Sequence, residues 1–255
     1  MDLESAIREY LDREGMTLRT TQQVYDAVLE HRNKKYVQQI QETLRRRAQG
    51  EITVEAFYTA MAEEVGEMSV YDLFASRARK GLAWNIRRIA EEMPEGSQIL
   101  DAGCGTGIIS EFLARYFPQK SFTGIDCSSG MITAAQKRAA RLNLPNLKYI
   151  REDLFTHRGT YDCVIVAHAL DDARTEKEDD SKEIGFLREL LNEQGKLILL
   201  RNGGIQEGGA AYEGEVCNSD FRECILLGIP PETLFCYNDS DGDGLSHGLT
   251  VWDKK

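Results

Sequence analysis

The sequence predicts an α/β fold: a mostly parallel sheet with helices on both faces, preceded by an all-helical segment. Three observations predict it. From residue 98 onward, short apolar runs alternate with amphipathic helical stretches. Residues 162–167, "DCVIVA", are almost continuously apolar, as befits a strand covered on both faces. Residues 99–110, "ILDAGCGTGIIS", run from a strand pattern through glycines at every second position into a helical pattern.

The elements follow in order. Before Pro94 the pattern is helical. "LESAIREYLDREG" places Leu3, Ile7, Tyr10 and Leu11 on one face. In "TQQVYDAVLEHR", Val24, Tyr25, Val28 and Leu29 form a stripe, with Thr20 or Thr21 as cap. "KKYVQQIQETLRRRAQG" groups Val37, Ile40 and Leu44 and ends at Gly50, a C-cap residue. Two further helices, "TVEAFYTAMAEEVG" and "SVYDLFASRARKGLAWNIRRIAEEM", are capped by Thr53 and Ser69. The predicted division is therefore 1–93 helical and 94–255 α/β.

In the second part, residues 98–101 form a strand and a helix runs from near Thr106 to about Phe117. "SFTGID" is a strand, "SGMITAAQKRAARLN" a helix and "LKYI" a strand. "DCVIVA" is the next strand, "SKEIGFLRELLNE" a helix and "KLILLR" a strand. "SDFRECILLGI" reads as helix, while "TLFCYN" and "GLTVWDK" read as two strands joined by a Gly/Asp loop.

Composition narrows the classes. A chain of 255 residues suffices for one large domain, or a core domain with an appendage. Its 42% hydrophobic and 29% charged residues are the balance of a soluble globular protein. A net charge of -11 repels phosphate backbones, so nucleic acid is not an expected partner. No apolar run approaches the ~18 residues of a membrane span. The N-terminus lacks the basic-then-apolar order of a secretory signal. The six cysteines are scattered with no C-x-x-C pair, and the four histidines show no ligand spacing. Reduced thiols, a cytoplasmic location and no metal site are the expectation.

The glycine turn carries the chemistry. In open parallel sheets, ligands bind beyond the carboxyl ends of the strands, and glycine there lets the backbone approach them closely. A dinucleotide fingerprint needs G-x-G-x-x-G. Here Gly103, Gly105 and Gly107 alternate, and Ile108 stands at the template's sixth position. Asp101 precedes the turn by two residues. A carboxylate there repels a pyrophosphate and suits a cationic ligand without phosphates.

With these residues, the sequence resembles the class I S-adenosylmethionine-dependent methyltransferases. "LDAGCGTG" matches that family's first motif, and "GIDCSSGMITAAQKRA" resembles its second-strand segment. "REDLF" resembles its third motif, "YDCVIVAHAL" its fourth strand and "LNEQGKLILL" the turn into its fifth. The resemblance spans roughly residues 71–201. It implies a Rossmann-like sheet of seven strands, with the N-terminal helices as a cap that covers the cofactor and shapes the substrate pocket.

The implied cofactor is S-adenosylmethionine, with S-adenosylhomocysteine as product. Asp101, Gly103, Cys104, Gly105 and Gly107 would form the turn that holds its amino-acid end. Asp126 would hold both ribose hydroxyls, with Cys127 and Met131 nearby. Asp153 would accept from the adenine amino group, and Leu154 would cover the ring. Ala167 would close the site at the end of the fourth strand.

His168, just beyond that strand, is a candidate general base; it could instead position ligands or merely pack. Asp171 and Asp172 could orient it, or cap the next element. Phe57, Tyr58, Tyr71, Phe74 and Trp84 read as core, and of these Tyr71 is the first candidate in the helical segment to reach cofactor or substrate. "DSDGDG", residues 239–244, matches half of a calcium loop but lacks the closing glutamate, so a hairpin loop is expected.

The implied activity is methyl transfer to a small-molecule oxygen, nitrogen or carbon nucleophile. The residues do not choose among these atoms. Peptide side-chain methylation, transfer of the aminocarboxypropyl arm and a non-catalytic scaffold stay open, as does a homodimer through the N-terminal helices.

Overall fold

The computed structural model describes residues 1–14, 42–43, 45–65, 79–169, 181–203, 212–214, 233–238 and 246–253. Among the described residues, the helices α1 (Leu3–Arg13), α2 (Val54–Val65) and α3 (Arg79–Glu91) precede the sheet. There follow β1 (Gln98–Ala102), α4 (Ile108–Tyr116), β2 (Ser121–Asp126), α5 (Ser129–Leu142) and β3 (Leu147–Arg151). A short 3-10 turn (Leu154–Thr156) leads to β4 (Tyr161–Ala167), α6 (Ser181–Glu189) and β5 (Leu191–Gly203). The last strands are β6 (Tyr212–Gly214), β7 (Thr233–Asn238) and β8 (Ser246–Asp253).

The described strands form one eight-stranded sheet in the order β3-β2-β1-β4-β5-β8-β7-β6. The first five are parallel, and β8, β7 and β6 add antiparallel pairings. This is a Rossmann-like α/β arrangement. The sheet has one strand more than the seven expected. The addition is β6, whose three residues lie in a Gly-rich stretch with no apolar alternation to announce it.

Period-two alternation sorts the central strands between two cores. Ile99, Ile165 and Ile198 face one core, built with Ile7, Tyr10 and Leu11 of α1, Ile86 and Ile89 of α3, and Phe112 and Leu113 of α4. Leu100, Val164 and Leu197 face the other, with Leu187 of α6. Both faces are thus covered, which is why these strands read as continuous apolar runs.

Local signals set the ends. Asp2 caps α1 by accepting from the Ser5 N–H at 2.9 Å, and Thr53 caps α2 by accepting from the Ala56 N–H at 3.1 Å. Gly50 ends the preceding helical turn at φ 69°. The helix expected through Glu193 stops at Glu189 instead. Leu191 already pairs with Tyr161 of β4, an irregular register follows, and Gln194 turns the chain at φ 64°. Two buried leucines at 190 and 191 look helical in sequence, but Leu190 lies in a turn and strand pairing decides the conformation of Leu191. The stretches around Val24, "SDFRECILLGI" and Ser69 lie outside the described residues.

Candidate active site

Strand order reverses at β1. The chain proceeds from β1 to β2 and β3 on one side and reaches β4 and β5 on the other. Carboxyl ends at such a switch point leave a crevice. Gly103, Gly105 and Gly107 turn the chain there at φ 73°, 53° and 78°. Both the Gly103 and Cys104 N–H groups donate to the Ile125 carbonyl at 2.9 Å, so the turn is tied to β2.

Two of the glycines have steric reasons as well. A Cβ on Gly107 would lie 2.2 Å from the Tyr149 hydroxyl, and one on Gly103 would lie 2.2 Å from the Ala169 Cβ. Tyr149 reaches beneath the turn from β3 and donates to the Gly107 carbonyl at 2.9 Å. The helix itself begins at Ile108, two residues after the expected start, with left-handed Gly107 as its cap residue.

Asp101 lies at the base of the turn and is 2% exposed. Its Oδ2 has no hydrogen-bond partner among the described residues, and the same holds for the buried Thr106 hydroxyl. Burial is the main cause that pushes the Asp101 carboxyl up to about 6; Asp126 adds repulsion, and Ser110 hydrogen bonding opposes the shift.

Asp126 ends β2. Its Oδ2 accepts from the Gly105 N–H at 3.0 Å and its Oδ1 from the Ser128 N–H at 2.8 Å. Each oxygen thereby spends one acceptor position and keeps another. Burial holds this carboxyl above its ordinary range, partly offset by those two amides. Ser128 in turn caps α5, accepting from the Met131 N–H at 3.2 Å, and its hydroxyl meets the Thr59 hydroxyl of α2 at 3.0 Å. Helix α2 therefore rests on the residues that aim Asp126. At Gly130 the two helices touch so closely that a Cβ would lie 2.8 Å from the Ala62 Cβ.

At the end of β4, Ala167 is buried and His168 follows at φ 61°. The His168 N–H donates to the Leu200 carbonyl at 3.0 Å, and its Nε2 lies 3.2 Å from the Asn85 Nδ2 of α3. Ala169 rests against Gly103. The structure thus brings His168 beside the glycine turn, along with Asp101, Cys104 and Asp126. Cys104 is buried, and burial pushes its thiol up; Cys127 is half-buried with its thiol also raised.

Other expected residues have different surroundings. Met131 is buried in a small core with Phe57 and Met61 beneath α2. Asp153 caps the 3-10 turn, accepting from the Phe155 N–H at 2.8 Å, and Leu154 packs against the second core. Trp84 and Phe57 are core residues, as expected. Tyr71, Phe74, Asp171, Asp172 and the 239–244 loop lie outside the described residues. No metal-binding cluster occurs among the described residues.

Tyr149 and Asn85 were not foreseeable. Tyr149 sits in an ordinary strand pattern, and Asn85 is one polar residue within an amphipathic helix, 83 positions from its partner. The signal for Tyr149 is indirect: Gly124 on β2, where a Cβ would lie 2.5 Å from its ring, is a glycine inside a strand.

A buried carboxylate oxygen without a partner, beneath backbone bent back to leave a cradle, fits a ligand that carries a cation and a carboxylate. The cradle, Asp101 and Asp126 are compatible with S-adenosylmethionine.

Residues 99–195 match the family described as the methyltransferase domain. The chain thus carries a methyltransferase domain over these residues. The similar proteins are more particular. Over 93 residues the chain is 33% identical to a trans-aconitate 2-methyltransferase of Deinococcus radiodurans, covering 36% of this chain and 34% of that protein. Over 100 residues it is 33% identical to a malonyl-[acyl-carrier protein] O-methyltransferase of Bacillus cereus, covering 37% and 36%. The chain thus spans about a third of the length of these curated relatives. Among solved structures, the N-methyltransferase NodS of Bradyrhizobium japonicum, in complex with S-adenosylhomocysteine, shares the fold. Its TM-score is 0.50 at 18% identity, over 67% of this chain and 84% of that one.

Proposed function

We propose that the whole chain is an S-adenosylmethionine-dependent methyltransferase acting on a small-molecule oxygen, nitrogen or carbon nucleophile. The observation that carries the reading is the meeting of the left-handed glycine turn with Asp101, Asp126 and His168 at the ends of β1, β2 and β4. The trans-aconitate and malonyl-carrier-protein methyltransferases, by their names, modify small carboxylic acids free or carrier-bound, which supports a small acceptor.

When bound, the cofactor supplies a methyl group activated by the sulfonium beside it. The chain's own residues have four tasks. Asp126, aimed by the Gly105 and Ser128 amides, holds the ribose hydroxyls with its remaining acceptor positions. The start of α4 receives the amino-acid carboxylate, since the Gly103, Cys104, Gly105 and Gly107 N–H groups already have partners within the protein. Asp101 sets a negative potential below the ammonium. His168 accepts a proton from the nucleophile where that atom carries one. Alignment of the nucleophile then supplies most of the rate.

Calorimetry with S-adenosylhomocysteine tests the cofactor site: micromolar binding is expected, and no heat at millimolar ligand overturns the reading. Asp126→Ala should weaken binding by about 1.5–3 kcal/mol, the worth of hydrogen bonds to a charged acceptor. Radiolabelled methyl transfer to a panel of small carboxylic acids, phenols and amines then tests the acceptor class.

A further inference from the structure

We infer that Asn85 is a positioning residue for His168, acting through the imidazole Nε2. The inference rests on the reading of His168 as a proton acceptor. Asn85 projects from α3, is 3% exposed and places Nδ2 at 3.2 Å from His168 Nε2. Its Oδ1 has no partner among the described residues. A buried amide with one engaged atom and one idle atom is unusual, since polar atoms sealed from water ordinarily find partners.

The backbone around His168 is fixed independently. Its left-handed φ of 61°, the bond from its N–H to Leu200 and the seat of Ala169 on Gly103 leave the main chain little freedom. Asn85 adds a grip on the ring from a different helix.

A carboxamide carries two opposite hydrogen-bonding atoms on one swivel. With Nδ2 toward the ring, the amide donates, Nε2 spends its lone pair, and the ring proton sits on Nδ1. With the amide turned over, Oδ1 accepts from Nε2–H, and Nδ1 becomes the basic nitrogen. This second state also favours the imidazolium, because an imidazolium Nε2 must donate. A half-turn of Asn85 therefore moves the neutral ring's proton from Nδ1 to Nε2, and it brings the idle oxygen into use.

Charged groups on the neighbouring elements have partners of their own. On α3, Arg87 lies 3.8 Å from Glu4 and Arg88 3.0 Å from Glu91; Lys196 of β5 lies 3.1 Å from Glu92. On the far side, Asp101 of β1 sits in register with Ile165 of β4, and Asp126 ends the next strand over.

Long-range proton–nitrogen NMR of the imidazoles in the full chain tests this, with His168→Gln assigning the signal. The unmodified protein is expected to hold His168 in one tautomer; a freely exchanging pair of tautomers overturns the inference without any substitution. Asn85→Asp, which presents only acceptors, should place the ring proton on Nε2. Asn85→Leu should change the balance of the two His168 tautomers. Spectra unchanged in both variants eliminate Asn85 and leave the base reading intact. A different result, full turnover by His168→Gln with an acceptor found in the panel, eliminates the base reading itself.

Discussion

The Tyr149 hydroxyl of β3 donates to the Gly107 carbonyl at 2.9 Å, crossing beneath the turn that the nucleoside's tail would occupy. Ser110 joins them, its hydroxyl 3.1 Å from that of Tyr149. Tyr149→Phe deletes the bond to Gly107 and the contact with Ser110 and should lower stability by about 1–2 kcal/mol. Gly107→Ala places a Cβ into the Tyr149 hydroxyl and demands φ 78° of a residue with a side chain. It should cost at least about 2 kcal/mol. Urea unfolding ranks the two, and a Gly107→Ala loss smaller than that of Tyr149→Phe contradicts this account of the turn.

Asp101 gives a pH signature with a definite sign. Its carboxyl rises from 3.8 to about 6 because burial penalises the charge. The folded state therefore binds this proton more tightly than the unfolded chain does. The resulting stability is whole below the unfolded value and disappears as pH climbs through the folded one. Asp101→Asn never carries the charge. Its stability relative to wild type should rise by about 1.4 kcal/mol between about pH 5 and about pH 7.5, the rest of the ~3 kcal/mol that the shift represents falling below pH 5. Unfolding curves at both values measure it, and a gap that narrows with pH refutes it.

Much of this was written in the sequence, and the reasons are local. β1 and β4 announced themselves because Ile99, Leu100, Val164 and Ile165 are all buried, one facing each core in turn. The glycine turn and Asp126 were legible because their chemistry depends on short spacings. Pairings across long separations left no such trace. Asn85 meets His168, Tyr149 underlies Gly107, and Arg138 meets Glu111 only through the fold. The short edge strand β6 had too few residues to establish a period.

Arg138 anchors a buried ionic cluster between α5, α4 and the end of α1. Its guanidinium donates to Glu111 at 3.1 Å and pairs with Glu14 at 2.9 Å. It also donates to the Tyr10 hydroxyl at 3.3 Å, while that hydroxyl donates to the Ile108 carbonyl at 2.7 Å. The Glu111 side chain is fully buried. Arg138→Ala strands that carboxylate and should cost about 3–5 kcal/mol. Adding Glu111→Gln should recover a large part of the loss; a double variant no better than the single one argues against a charge-based effect.

Gly130→Ala tests the contact between α2 and α5. The new Cβ would lie 2.8 Å from the Ala62 Cβ and 3.0 Å from the Thr59 carbonyl oxygen, and a backbone atom can retreat only if its helix does. Overpacking of this kind costs about 1–3 kcal/mol. Affinity for S-adenosylhomocysteine should fall alongside stability, because Thr59 and Ser128 separate. Unaltered affinity in a measurably destabilised variant means that α2 does not steer Asp126.

The hydroxyl pair between Thr59 and Ser128 makes the leading helices and the nucleoside carboxylate one mechanical unit. Swapping the N-terminal segment for that of another enzyme, as a means of changing the acceptor, would retune the grip on the sugar in the same stroke. Grafts intended to alter selectivity alone should therefore carry residues 55–62 along with 126–131, as a single inherited block.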